Sequence, residues 1–158
     1  MKPVVLTFLA LVVSARAVET QRPPVPAARP PFTIVVNFAN PVDTLTVAEL
    51  RRIFMKQQRL WAHGDTIVPV DWDAASQMRQ VFSRTVLGRS VREMAEYWVQ
   101  QSVTQGLAPP STLNSGLAVA RFVAMVPGAI AYLSPDAVDR SVKRVRIDGL
   151  PVFPAQSR

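Results

Sequence analysis

IVPVDWDAASQMRQVFSRTVLG, residues Ile67 to Gly88, is the stretch whose reading decides the fold. Ile67 to Val70 is apolar and β-branched, as a strand buried on both faces should be. Ala75 to Leu87 then places Met78, Val81, Phe82 and Val86 on one helical face, and Gly88 offers the left-handed position that ends a helix. Between them lies a short turn. A turn that feeds a helix presents unpaired N–H groups and the positive end of the helix dipole, which together form an anion site.

Working outward, the same alternation recurs. Thr33 to Asn37 reads as a buried strand, closed by Asn40-Pro41. Thr46-Val-Ala-Glu49 is a capping box that opens a helix with Leu50, Ile53 and Phe54 on one face. Ser90-Val-Arg-Glu93 is a second capping box, heading a helix to about Val103 with Met94, Tyr97 and Trp98 on one side. A further helix is expected from about Ser115 to Val126, stopped by Pro127-Gly128, and a third strand over Ala129 to Leu133. Ser134 to Asp139 reads as one helical turn, and Asp148-Gly149 as a hairpin turn between Arg144–Ile147 and Pro151–Phe153. Strands alternating with helices predict an α/β domain, a mainly parallel sheet flanked by helices.

The ends of the chain differ from this middle. Lys2, the apolar run Val4 to Val13 and Ala15-Arg16-Ala17 fit a cleaved secretory signal over 1–17, the alternative being a retained anchor. Residues 18–31 carry five prolines in ETQRPPVPAARPP and read as an extended linker, so the folded domain is expected over 32–158. Export would permit disulfides, but the chain has 0 cysteines and its fold must rest on its core. Without Lys2 and Arg16 the 18 basic residues become 16, against 11 acidic ones, a net charge of +5. The basic residues are dispersed and no nucleic-acid motif accompanies them, so no nucleic-acid partner is expected. No segment of the mature chain is long and apolar enough to span a bilayer.

Conventional catalysis finds little support. The single histidine, His63, lies in a polar loop beside Gly64, with no nucleophile elbow near it. One histidine and no cysteine make a zinc site improbable, and no P-loop or dinucleotide fingerprint occurs, so neither metal nor cofactor is expected. The candidate residues gather in the turn. Asp71 and Asp73, two apart on extended chain, point the same way, either as paired acids or as one helix cap and one solvated carboxylate. Ser76 falls at the N-cap. Its hydroxyl, the N–H groups of Gln77, Met78 and Arg79, and the Arg79 guanidinium are positioned to surround an oxyanion, with Asp71 and Trp72 shaping the rim. The alternative makes Ser76 an ordinary cap and Arg79 a solvated first-turn residue.

The order Leu45, Glu49-Leu50, Ile53-Phe54, Trp61, Gly64, Val68-Pro69-Val70, Ser76, Phe82 and Pro127-Gly128-Ala129-Ile130-x-Tyr132 resembles the phosphate-type substrate-binding proteins of ABC transporters, the periplasmic-binding-protein-like family, over about Thr33 to Leu133. The resemblance implies a single type II lobe and a non-enzymatic, periplasmic, solute-binding-like protein. It further implies a small phosphate-like oxyanion as ligand and an ABC permease as partner. The family's Arg-Ser-Asp-Gly-Ser-Gly-Thr turn falls on Trp72 to Met78, where only Ser76 is kept; Trp72, Ala75, Gln77 and Met78 replace the arginine, both glycines and the threonine. Ala131 likewise stands where the family's last strand has glycine. One lobe cannot close over a ligand as two do. The alternative reading is therefore an envelope interaction module, with Trp61, Trp72 and Trp98 as candidate anchors.

Overall fold

The computed structural model describes residues 31–150. The expected signal segment, residues 18–30 of the linker, and the strand expected at Pro151–Phe153 lie outside the described residues.

β1 (Thr33–Asn37) lies inside a six-stranded sheet of order β2-β6-β1-β5-β3-β4. Its other strands are β2 (Thr44–Thr46), β3 (Val68–Trp72), β4 (Ser111–Leu113), β5 (Ala129–Leu133) and β6 (Val142–Asp148). Among the described residues four α-helices flank it: α1 (Val47–Phe54), α2 (Gln77–Phe82), α3 (Val91–Gln105) and α4 (Gly116–Met125). The α/β class is as expected. The sheet is mixed: β2–β6, β3–β4 and β3–β5 pair in parallel, whereas β1 runs antiparallel to both β5 and β6. Strand polarity is not encoded in a continuous apolar run, so only the tertiary arrangement reveals the reversed central strand.

Side-chain alternation divides the core into two layers. Ile34, Val36, Ile130 and Tyr132 face the layer covered by α1, α2 and α3, with Phe54, Phe82, Met94 and Trp98. Val35, Val70, Ala129, Ala131 and Leu133 face α4 through Val119, Ala120 and Val123. Since Val70 faces α4, its neighbour Asp71 faces the other layer, beneath α2.

Three local readings change. β2 and β4 were not expected as strands; each has three residues and pairs only at an edge of the sheet, too short for a periodic signal. The single helix expected over Ala75–Leu87 is α2 followed by a π-helical segment, Ser83–Leu87. Gly88, at φ 69°, closes it by donating its N–H to the Ser83 carbonyl, and Arg51 Nε reaches the Val86 carbonyl at 2.8 Å. The wider π turn offers carbonyls to partners outside the helix.

Gly128 is fixed by space. A Cβ there would lie 1.9 Å from the Thr66 carbonyl oxygen, a backbone atom that cannot step aside. Its own carbonyl accepts from Val68 N–H at 2.9 Å and Trp61 Nε1 at 3.1 Å, tying the entries to β3 and β5 together. Gly128→Ala is expected to lower stability by about 2–3 kcal/mol, read as a shift in the urea midpoint.

Both capping boxes form, Thr46 with Glu49 and Ser90 with Glu93. The backbone N–H and then the hydroxyl of each cap hold each carboxyl below its ordinary value of 4.5. A depressed acid stabilises the fold above its unfolded pKa and loses that contribution as pH falls through its folded value. The Tm advantage of the wild type over Glu49→Gln/Glu93→Gln should therefore be full at about pH 6 and shrink steadily as the pH falls below the ordinary carboxyl value; an advantage that does not shrink on acidification would contradict the assignment.

Candidate functional site

β3 ends at Trp72, and the chain turns through Asp73 into α2. The Asp73 carboxylate accepts the Ala75 N–H at 2.9 Å, and the Ser76 N–H donates to the Asp73 carbonyl at 3.0 Å. This Asx-type turn delivers Ser76 to the N-cap in extended conformation, φ −65° and ψ 129°, as the sequence predicts. The Ser76 hydroxyl makes no capping bond to the helix. Two polar elements thus stand at the turn, a hydroxyl and the first N–H groups of α2, which have no intrahelical acceptor.

Asp71 and Asp73 do not share a direction. Asp71 is the last buried position of the strand at 2% exposure, whereas Asp73 lies past the strand end, in the turn and in solvent. Strand alternation stops where the strand stops. Asp71 neither caps the helix nor faces water: one of its oxygens accepts the Trp72 N–H at 2.8 Å and the Tyr132 hydroxyl, and the other pairs with Arg79 Nη1.

Arg79 is accordingly not a solvated first-turn residue. It is 8% exposed, and α2 turns it inward, so its guanidinium is engaged by Asp71 beneath the helix. Desolvation lowers its pKa from the ordinary arginine value, opposed by the Tyr132 oxygen. Burial pushes the Tyr132 hydroxyl up, with the Arg79 charge acting against the shift. Tyr132 therefore stays protonated and donates. Its ring stacks on Phe82 at 3.9 Å between centroids and 5° between planes, with Phe32 and Phe54 packed edge-on around them.

A cleft of about 390 Å³ opens at the turn, lined by Trp72, Ser76, Gln77 and Met78 together with Pro31, Phe32 and Val81. Four of the six predicted site residues thus meet at one surface. Asp71 and Arg79 lie beneath it as a buried pair. Sequence reasoning missed Phe32 and Val81 as walls and Tyr132 as the third member of the buried cluster. Tyr132 carried the one available signal, a hydroxyl among strand positions that were otherwise apolar. Of the proposed anchors, Trp61 and Trp98 are core residues at 3% and 6% exposure. Trp72 is half-buried, its Nε1 donating to the Tyr132 carbonyl at 2.8 Å. His63 stacks on Trp61 and lies 3.5 Å from Asp65, away from the cleft.

The buried pair makes a sharp prediction. Asp71→Leu leaves Arg79 charged and uncompensated and should cost about 3–5 kcal/mol. Asp71→Leu/Arg79→Leu, which removes both charges, should recover most of that loss in chemical denaturation; a double variant as unstable as the two losses summed would show that the two residues act independently.

No protein-family model matches the chain. Solved structures do. An ABC-type phosphate transport receptor from Vibrio cholerae superposes with a TM-score of 0.61 at 26% identity, over 77% of this chain and 48% of that one. A structure from Clostridium perfringens, described as a phosphate ABC transporter substrate-binding protein with bound phosphate, gives 0.62 at 24% identity, over 78% and 47%. A phosphate-binding protein from Stenotrophomonas maltophilia shares the fold at 17% identity, with a TM-score of 0.55, over 77% and 40%. The chain spans about half the length of the proteins it matches. Over about three quarters of its residues it is similar in structure to the phosphate-type, periplasmic-binding-protein-like substrate-binding proteins of ABC transporters.

Proposed function

We propose that this domain is a non-enzymatic, exported, solute-binding-like module that takes a small phosphate-like oxyanion at the β3–α2 turn and works in the periplasm beside an ABC permease. The observation that carries the reading is the cleft at the carboxyl end of β3, where the Ser76 hydroxyl and the Gln77 and Met78 N–H groups are free of helix partners. Ligands of open α/β sheets collect at that end of the strands. The fold it shares with phosphate transport receptors supports a solute-binding-like role. Trp72 shapes the rim. Asp71 and Arg79 set the position of the turn from below. Another polypeptide segment or a second copy would supply the opposite wall, since an open half-cleft leaves each polar contact wet and weak.

A ligand that binds the native state raises its stability, by about 2.7 kcal/mol at a hundredfold excess over Kd. Phosphate, sulfate or a small carboxylate at millimolar concentration is expected to raise the Tm, and Ser76→Ala, at a half-exposed position, to reduce the shift without changing the ligand-free Tm by much. No shift with any anion would overturn the proposal.

A second reading, an envelope interaction module, is favoured by one observation. α3 exposes Val99 at 66% and Val103 at 82%, one helical turn apart. It gains over the first if no anion shifts the Tm while Val99→Glu/Val103→Glu abolishes co-purification with an envelope component.

A further inference from the structure

The cleft at the β3–α2 turn is built from two kinds of surface. Phe32, Trp72, Met78 and Val81 give it apolar walls, and Ser76 and Gln77 give it neutral hydrogen-bonding groups. Among the described residues none that lines it is charged. The arginine nearest in sequence, Arg79, is turned under α2 and engaged by Asp71. The Trp72 indole N–H is committed to the Tyr132 carbonyl, so the ring turns carbon surface and not a donor to the cleft.

That lining suits a free inorganic dianion poorly. Such an ion gives up a tight hydration shell and needs charge-assisted donors to replace it. The Ser76 hydroxyl, the Gln77 amide and the Gln77 and Met78 N–H groups are all uncharged donors and do not fully replace it. A volume of about 390 Å³ also exceeds what one tetrahedral ion fills, and lies within the range of sites for organic ligands. We infer that the oxyanion accepted here is the head group of an organic molecule with an apolar, aryl or short alkyl body, such as a phosphate monoester or a sulfonate. This rests on the reading of the cleft as a solute site. The head group bonds to the Ser76 hydroxyl and the Gln77 side-chain amide. The body lies against Trp72, Met78 and Val81, where burial of apolar surface supplies the affinity that charge does not.

Isothermal titration of the chain with phenyl phosphate, inorganic phosphate and phenol tests this. Phenyl phosphate is expected to bind at least tenfold more tightly than either of the others. Val81→Thr, isosteric and less apolar at a wall that carries no anion donor, should weaken phenyl phosphate at least threefold and leave inorganic phosphate unchanged, with Met78→Ala as a second variant that shortens the apolar wall and adds no donor; a retained cooperative unfolding transition shows that each is folded. Inorganic phosphate binding as tightly as phenyl phosphate would overturn the inference and leave the solute-site reading standing. Phenol binding as tightly as phenyl phosphate would overturn the role of the oxyanion head. Absence of binding by all three would remove both readings.

Discussion

The candidate site depends on one buried contact, the pairing of Asp71 with Arg79 under α2. Asp71 closes a buried strand and Arg79 lies in the first turns of the helix that follows, so the pair clamps the strand to the helix across the intervening turn. Two charges removed from water are costly unless further polar groups complete them. The Trp72 N–H and the Tyr132 hydroxyl do so for the carboxylate. Among the described residues Arg79 Nε has no hydrogen-bond partner, so the cationic side of the cluster keeps an unsatisfied buried donor. Such a pair adds less to stability than to geometry: any other register of α2 on the sheet would leave a charge buried alone.

The aromatic stack works with this clamp. Tyr132 donates to Asp71 at its tip while its ring lies flat on Phe82, which belongs to the same helix as Arg79. One residue of β5 thus reads the position of α2 twice, by a polar bond and by a ring face. Gly128 immediately precedes the same strand and lets its backbone approach the β3 entry closely. The proline-glycine pair before β5 and the tyrosine near its end are therefore parts of one device that sets the β3–α2 turn.

The clamp also determines what the cleft can do. A guanidinium drawn inward is withdrawn from the cleft, and the surface above it is neutral and largely apolar. The lining of the cleft, apolar walls with a hydroxyl and an amide, follows from that inward turn.

Much of this was legible in the residues themselves. The capping boxes at Thr46 and Ser90, the apolar runs of β1, β3 and β5, and the glycine stop at Gly88 are local signals, set by hydrogen bonds and backbone preferences within a few positions. They gave the α/β class, the N-cap position of Ser76 and the turn where the candidate site lies. Contacts distant in sequence decided the rest. The reversed polarity of β1, the edge strands β2 and β4, and the π segment after Phe82 arise from pairing and packing that no local pattern encodes. Asp71 and Arg79 show the difference most clearly. Sequence placed Asp71 at the strand's end, as a paired acid, a helix cap or a solvated carboxylate, and Arg79 in the first turn, as an oxyanion contact or a solvated residue. Only the tertiary structure, by setting Tyr132 beside them and α2 above, turned both inward, because a buried charge is stable only where its partner already stands.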